Sequence, residues 1–285
     1  MKPISPKLLN TKIGNSPWEW IPTSFANFLE EVDHVQAHCK ELGDRLVLYR
    51  GHRESKWLLD STFVRWCKQQ VFGIEPWQKI SPDKFRLSVN HQQILLNLFF
   101  LKFDFRARPS DGLFELEEQQ GIDPWFEFMK RIQQYPEEDH SHFKGSFVLD
   151  WTRNPDVAIY FANELRADEG ALWILDATAT GKTLQVIKVA EILKKMDRLG
   201  RSDKSLGVPL LFYPKKQLAY KRAKNKDPVY IAQMDLRVDL SEVWANLHKP
   251  GKRIFIKLIL PCGTNEECVQ YLKDRGLNRE FLFPD

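Results

Sequence analysis

Hydrophobic positions with helical spacing begin about two dozen residues into the chain. Ser24 is a typical N-cap, and Gly43 is a typical helix stop. The pattern therefore predicts a helix from Ser24 to about Leu42, preceded by a proline-containing irregular arm over residues 1–22. The apolar positions that carry this prediction are Phe25, Phe28, Leu29 and Val32.

Short apolar runs, most of them in the second half of the chain, are typical of strands. These runs cover residues 45–51, 146–152, 170–177, 227–238 and 253–260. Helical patterns cover residues 94–105, 125–135, 154–167 and 265–275, and the third of these begins with Asn154 as N-cap and Pro155 as first residue. Because strands and helices do not alternate regularly, we expect an α+β fold.

Composition is that of a globular protein, with 285 residues, of which 43% are hydrophobic and 28% charged. No linker composition divides the chain, so we expect a single domain over residues 45–285, with residues 1–44 as an N-terminal arm and helix. Four cysteines do not indicate a disulfide scaffold. Neither a signal peptide nor an apolar stretch of about 20 residues is evident, which predicts a cytoplasmic protein without a membrane partner.

Positive charge is concentrated in one segment. Residues 182–226 contain thirteen Lys and Arg against three Asp and Glu, a local charge of +10 in a chain of net charge +4. Cations attract phosphates, and the aromatic residues Phe212, Tyr213 and Tyr220 could stack on unpaired bases. The segment therefore favours RNA or single-stranded DNA as a partner, with a solubilising surface or an acidic protein partner as alternatives. The predicted nucleic-acid residues are Lys215, Lys216, Lys221, Arg222 and Lys224.

Three other motifs are weaker. The tetrapeptide at 180–183 is similar to the end of a phosphate-binding loop, but Asp176 replaces the glycine that such a loop requires. His34 and His38 share a helix face beside Cys39 without a matching second pair of ligands, so no metal site is predicted. The histidine-containing loop at 139–142 is weak support for acid–base chemistry.

Two longer motifs carry a family resemblance. The first is Tyr-Arg-Gly-His at 49–52, followed by Trp57 and Leu58, and the second is Leu-Asp-Trp-Thr at 149–152, which runs into the helix with Phe161 and Ala162. In this order the two motifs resemble the FRG domain family over about residue 45 to the C-terminus. Gln233 in the late strand and the final Leu-Phe-Pro-Asp also fit that family. The arginine that the family has before Asp-Trp-Thr is replaced here by Phe147.

The order of an arginine strand, a hydroxyl strand and a Gln-x-acid strand is also similar to the ADP-ribosyltransferase superfamily, including toxin and defence types. The resemblance implies a split β-sheet core that binds NAD as substrate and needs no metal. It implies Arg50, Thr152, Gln233 and Asp235 as catalytic residues. The implied NAD-binding residues are Arg50, Gly51, His52, Asp150, Trp151, Thr152, Tyr160 and Phe161.

The chemistry implied by the resemblance is coherent. Cleavage of the nicotinamide–ribose bond builds positive charge on the ribose, which a carboxylate would stabilise. A guanidinium suits the pyrophosphate. Asp150 and Glu164 are alternatives to Asp235 as the acid, since Asp235 is one methylene shorter than the usual glutamate. The structural alternatives are a buried Arg50–Asp150 salt bridge and a purely core role for Trp151, Tyr160 and Phe161.

Three functions follow from these observations. The first is an ADP-ribosyltransferase acting on a macromolecule, preferably nucleic acid, as a toxin of a bacterial toxin–antitoxin or anti-phage defence system with an antitoxin partner. The second is a nucleic-acid-binding module that keeps only the fold. The third is a regulatory module that binds an acidic partner through residues 194–226.

Overall fold

Strands from both halves of the chain pair in one mixed sheet. The computed structural model describes residues 11–14, 16–43, 45–80, 144–180, 185–186, 210–212, 221–233, 239–245 and 254–284. Within them the strands are β1 (Thr11–Ile13), β2 (Glu19–Pro22), β3 (Val47–His52), β4 (Val148–Thr152), β5 (Gly170–Asp176), β6 (Gln185–Val186), β7 (Leu210–Phe212), β8 (Pro228–Ala232) and β9 (Phe255–Leu260). The helices are α1 (Phe25–Glu41), α2 (Thr62–Gln70), α3 (Pro155–Asn163), α4 (Lys221–Lys226), α5 (Leu240–Ala245), α6 (Asn265–Asp274) and α7 (Arg279–Leu282).

The strand order across the sheet is β1-β2-β9-β5-β3-β4-β8-β7-β6. Most neighbouring strands are antiparallel, and the pairs β2–β9 and β6–β7 are parallel. The strand with the Arg-Gly motif, β3, and the Asp-Trp-Thr strand, β4, are therefore central neighbours, and β8 lies next to β4. The prediction of a mixed α and β architecture is confirmed.

Local sequence explains where the two best-predicted helices begin. The Ser24 hydroxyl accepts a hydrogen bond from the backbone N–H of Asn27 at 3.1 Å, as an N-cap does. The Asn154 side chain accepts from the N–H of Asp156 at 3.0 Å, with Pro155 in the first position of α3. Gly43 follows α1 with a φ of +95°, a left-handed conformation that glycine adopts readily.

Two hydrophobic layers cover the sheet, one on each face. Side chains of α1, α3 and α6 form the first layer with Tyr49, Leu172 and Leu258. The second layer, on the other face, contains Leu48, Trp151, Trp173, Trp244 and Phe255. Successive residues of β3 thus enter opposite layers, as the alternation of side chains along a strand requires.

The structure differs from the sequence predictions in several elements, and α3 ends at Asn163, four residues before the end of the predicted helix over 154–167. Residues 19–22 of the predicted irregular arm form a strand, because Trp20 is buried where β2 pairs with β9. The helices α2, α4, α5 and α7 and the short strands β1, β6 and β7 were not predicted. The predicted helices over 94–105 and 125–135, and the histidine-containing loop at 139–142, lie outside the described residues. No helix in the described part of the chain is both long and apolar enough to cross a membrane.

Candidate functional site

The site lies where two central strands diverge. Strands β3 and β4 are joined by a single antiparallel pair, Tyr49 with Thr152. The next residues of β3, from Arg50 to His52, continue to pair with β5 but no longer pair with β4. A cleft of about 400 Å³ opens there. Its size is within the range of small-ligand sites.

Helix α3 packs unusually close to β3 at this cleft. A Cβ atom at Gly51 would lie 1.9 Å from the carbonyl oxygen of Ala158 and 2.5 Å from the backbone nitrogen of Ala162. Only glycine fits this contact, and small residues on the facing side of the helix permit it. The glycine of the Tyr-Arg-Gly motif and the alanines of the following helix therefore act together to place α3 against the strand.

Seven of the predicted site residues line the cleft: Arg50, Gly51, His52, Asp150, Trp151, Thr152 and Phe161. Tyr160 does not line it. Its hydroxyl instead donates a hydrogen bond to Glu164, one of the two alternative acids, at 3.2 Å. Glu164 lines the cleft, close to Arg279, whose guanidinium nitrogen is 3.6 Å from the carboxylate.

Arg50 bridges the gap between the diverging strands. Its Nη1 donates a hydrogen bond to the backbone carbonyl of Asp150, and its Nε donates to Nε2 of His52 at 3.0 Å. The predicted alternative of an Arg50–Asp150 salt bridge is thus replaced by a bond to the Asp150 backbone. Burial lowers the pKa of Arg50 to about 10, which leaves the guanidinium charged at neutral pH.

His52 is a neutral acceptor for Arg50. Burial lowers the pKa of His52 well below its usual range, and the nearby charges of Arg50 and Arg65 lower it further. The imidazole is 2% exposed and packs edge-on against Trp173. Two donors point at this ring, Arg50 Nε at 3.0 Å from Nε2 and Trp173 Nε1 at 3.3 Å from Nδ1. A neutral ring accepts at only one nitrogen, and the shorter contact, from Arg50, fixes the direction in which the Arg50 side chain extends.

The carboxylate of Asp150 faces the open cleft. It makes no hydrogen bond to any residue that the structure describes, although the charges of Arg50 and Lys226 act on it. Asp150 is exposed to the cleft, but the cleft walls exclude part of its water. This desolvation raises its pKa, while the two cations oppose the shift. An unpaired carboxylate with a raised pKa in a cleft is typical of a functional group.

Thr152 connects two elements at the cleft edge. Its hydroxyl donates a hydrogen bond to the carbonyl of Lys226 at 2.6 Å and accepts from the N–H of Asn154 at 3.0 Å. With both contacts made, the hydroxyl positions the end of α4 against the start of α3. Arg153 strengthens the same junction through an exposed two-oxygen contact with Asp227.

Aromatic side chains close one end of the cleft. Phe161 and Phe283 both line it, with ring centroids 6.1 Å apart in an edge-on arrangement. The Lys226 ammonium lies 3.7 Å from the centroid of Phe283. Trp151 is 2% exposed and packs edge-on against Trp244 in the second hydrophobic layer. This agrees with the alternative prediction that Trp151 is a core residue.

Gln233 does not reach the cleft. It is fully buried, its Oε1 accepts from the backbone N–H of Ser61 at 2.7 Å, and its Nε2 donates to Asp60 at 2.7 Å. Because Thr152 pairs with Pro228, Gln233 lies five residues further along, about 16 Å from the cleft end of β8. Its contacts connect the end of β8 to the start of α2. Asp235 lies outside the described residues.

The predicted nucleic-acid residues are only partly described. Lys215 and Lys216 lie outside the described residues. The backbone of Lys221 and Arg222 belongs to α4, and Lys224 on the same helix is exposed. Helix α4 ends at Lys226, which lines the cleft. The basic segment therefore leads into the site.

Sequence reasoning assigned no role at this site to several further residues that line the cleft, among them Arg53, Trp57, Lys226 and Phe283. Trp57 and Phe283 were noticed as parts of the family resemblance, and Lys226 as part of the basic segment. Their positions depend on tertiary contacts, which no local pattern encodes. Arg53 follows the Tyr-Arg-Gly-His motif directly, and that adjacency was the one available signal.

Among the described residues, no group of three or more His, Cys, Asp or Glu side chains is placed to hold a metal ion. The rings of His34 and His38 stack at 6.4 Å on one face of α1. In comparisons with models of protein families, with curated proteins and with solved structures, no match to this chain is found.

Proposed function

We propose that this protein is an NAD-dependent ADP-ribosyltransferase with an FRG-type, split-sheet core. One observation carries the proposal: Arg50 and Asp150, from adjacent strands, meet in a cleft that opens where those strands part. The carboxylate is free of hydrogen bonds to the described residues, and the guanidinium is held in place by His52. The three strands of the predicted trio, β3, β4 and β8, also lie side by side.

The cleft supplies what this reaction needs. When the bond between the nicotinamide nitrogen and ribose C1′ breaks, its electron pair leaves with nicotinamide and C1′ becomes positive. The Asp150 carboxylate stabilises that charge, and the acceptor nucleophile then forms the new bond to C1′ and releases its proton to water. Asp150 is the first candidate for the acid because Glu164, the second, is already bonded to Tyr160.

The aromatic end of the cleft suits the nicotinamide ring. Phe161 and Phe283 offer apolar surface, and Lys226 covers the ring of Phe283. A planar ring bound there would be shielded from water, which strengthens electrostatic interactions in the site.

Nucleic acid is the proposed acceptor, because α4, whose sequence includes Lys221, Arg222 and Lys224, ends at Lys226 in the cleft. The resemblance extends the proposal to a cytoplasmic toxin of a bacterial toxin–antitoxin or anti-phage defence system, which an antitoxin partner would neutralise. Incubation with adenylate-labelled NAD and separate pools of RNA, DNA and protein tests the acceptor, and we expect label in RNA or single-stranded DNA.

Nicotinamide release tests the reaction itself. Asp150→Asn keeps the shape of the side chain and removes its charge, and Arg50→Lys keeps the charge and removes the planar fork. Loss of a group that stabilises transition-state charge lowers kcat by about 10² to 10³, and we expect a loss of that order for Asp150→Asn. Arg50→Lys should also lower release, because the lysine lacks the planar fork that positions the ligand. Asp33→Asn and Arg275→Lys, at exposed positions outside the cleft, serve as matched controls.

Release by Asp150→Asn at the wild-type rate, with loss in Glu164→Gln, would transfer the acid role to Glu164. Equal release by all variants would remove the enzyme proposal. The alternative is then a nucleic-acid-binding or regulatory module that keeps only the fold. The position of Gln233 favours that alternative, since the glutamine expected in the third strand supports the core instead of the cleft.

A further inference from the structure

Trp57 brings two guanidiniums together at the wall of the cleft. The guanidinium carbon of Arg53 is 5.3 Å from the centroid of the indole ring, and that of Arg65 is 5.1 Å away. Both distances are typical of cation–π contacts. Arg53 and Trp57 line the cleft, and the ring of His52 meets Trp57 at its edge.

Among the described residues, no carboxylate forms a hydrogen bond or an ion pair with either guanidinium at this corner. Arg65 donates hydrogen bonds to the backbone carbonyl of Asp60 at 2.6 Å and to the hydroxyl of Thr62 at 3.3 Å, and neither acceptor is a carboxylate. Arg53 is exposed and forms no hydrogen bond or ion pair with the residues that the structure describes. Burial lowers the pKa of Arg65, the charge of Asp60 opposes this shift, and the charge of Arg53 adds to it.

Arg50 is less available than Arg53 for a ligand. Two of its five N–H groups are used, one by His52 and one by the carbonyl of Asp150. Arg53 donates none of its five to the residues that the structure describes. A planar guanidinium binds two oxygens of one phosphate at once, which a partly engaged guanidinium does less well.

We propose that Arg53, supported by Trp57 and Arg65, forms a diphosphate-binding corner of the cleft. The ligand class is a nucleotide with a 5′-diphosphate, and the identification of that nucleotide as NAD rests on the proposed function. Arg53 contacts the phosphate oxygens, while Trp57 holds the guanidinium and Arg65 adds positive potential behind the ring. Arg50 and Asp150 then remain for the ribose end of the ligand.

Calorimetric titration of the full chain tests this corner with four probes: ADP, inorganic pyrophosphate, adenosine and a single-stranded oligonucleotide. Charge-assisted hydrogen bonds are the strong ones, so we expect Arg53→Gln to weaken ADP and pyrophosphate binding by about tenfold or more. Adenosine binding should not change. Arg53→Lys keeps the charge without the fork and should give an intermediate loss.

Arg275→Gln is the matched control, because Arg275 is also an exposed arginine stacked on an aromatic ring, with its guanidinium carbon 3.8 Å from the centroid of Tyr271. We expect wild-type binding from this variant. Melting temperatures of all variants show that each is folded. An equal loss in Arg275→Gln would attribute binding to overall charge and overturn the proposal.

Two other results would also overturn it: pyrophosphate binding that is unchanged or undetectable in both wild type and Arg53→Gln, and a loss confined to a single-stranded oligonucleotide. The second result would assign Arg53 to the acceptor backbone. Because these titrations need no bond cleavage, they separate this proposal from the enzymatic one. If the protein binds ADP through Arg53 but releases no nicotinamide, the diphosphate-binding corner is supported and the transferase proposal is wrong.

Discussion

At the scale of single residues, Asp150 combines two opposing influences. The walls of the cleft remove water from its carboxylate and raise its pKa, whereas Arg50 and Lys226 favour the charged form. Desolvation is the larger influence. The folded protein therefore holds the Asp150 proton more tightly than the unfolded chain does, and ionisation of Asp150 above the unfolded pKa of about 3.9 opposes folding.

Asp150→Asn should accordingly stabilise the protein at neutral pH. The unfavourable charge is present above the folded-state pKa, decreases as the pH falls, and is absent below the unfolded pKa. We expect the variant to melt above the wild type at pH 7.5, with the difference shrinking towards pH 4. Melting curves across this range, with Asp33→Asn as the exposed control, measure it. A variant that is less stable at pH 7.5 would show that the cations outweigh desolvation.

At the scale of elements, the close contact between β3 and α3 depends on the lack of a Cβ atom at Gly51. Gly51 lets the backbone of α3 approach the strand, and Ala158 and Ala162 form the facing surface of the helix. Overpacking of such a contact typically costs about 1 to 3 kcal/mol, and more where the neighbour is backbone. Arg50 on β3 and Phe161 on α3 both line the cleft beside this contact.

Gly51→Ala should destabilise the protein by about 3 kcal/mol or more, because the new Cβ would lie 1.9 Å from a backbone oxygen that cannot rotate away. Gly43→Ala is the control: nothing lies within 4 Å of its Cβ position, and only its φ of +95° is unfavourable. That conformation costs a residue with a Cβ about 1 to 2 kcal/mol. Denaturant unfolding compares the two variants, and equal losses would mean that α3 can move to accept the methyl group.

The link between β8 and α2 depends on Gln233. Gln233→Leu keeps the approximate volume but leaves a buried Asp60 oxygen and the Ser61 N–H without their partner. Such unpaired groups cost about 1 to 3 kcal/mol, and more when one is charged. We therefore expect a loss of about 2 to 4 kcal/mol in the free energy of unfolding, while the same change at exposed Gln270 has little effect.

The two roles of Gln233 separate in a kinetic experiment. If Gln233 only supports the fold, the leucine variant at temperatures well below its melting point retains the kcat of nicotinamide release. A hundredfold lower kcat with unchanged stability would show that Gln233 contributes to catalysis.

The elements that the sequence predicted well are those whose signals are local. Ser24, Gly43, Asn154 and Pro155 act within a few residues of themselves, and the structure confirms the helices that they delimit. The strand at Glu19–Pro22 was missed because it depends on pairing with β9, more than two hundred residues away. For the same reason the motifs located Arg50 and Asp150, but not the partners that surround them.

The fate of Gln233 shows where a motif is insufficient. Its position two residues before an acid on a strand predicted a side chain in the cleft, but the register of β8 against β4 places it at the other end of the strand. Sequence alone contains no information on that register. Phe283 likewise joins the cleft only because the segment after α6 returns to α3.

At the scale of the whole molecule, charge is unevenly distributed. The segment 182–226 carries +10, and the remainder of the chain therefore carries −6. Because the segment ends at Lys226 in the cleft, an anionic polymer attracted to it would arrive beside the proposed reaction centre. This separation of acceptor binding from NAD cleavage can be tested.

Reversal of Lys221, Arg222 and Lys224 to Glu should abolish modification of RNA while NAD binding persists. Each phosphate contact contributes to salt-dependent binding, so the RNA affinity should fall and its salt dependence should become less steep. Reversal of Lys40, Lys144 and Lys273, exposed lysines elsewhere, changes the net charge equally and serves as control. Filter binding and labelled-NAD transfer measure both effects. Equal losses in both triple variants would show only an effect of total charge.

The single pair between Tyr49 and Thr152 divides the sheet into two parts. One part contains five strands up to β3, and the other contains four strands from β4 onwards. Beyond that pair, no ladder of amide hydrogen bonds fixes the spacing of the two parts. A side-chain guanidinium and a helix set it instead. Substitution of a few side chains should therefore change the width of this opening without altering the strand pairing on either side of it.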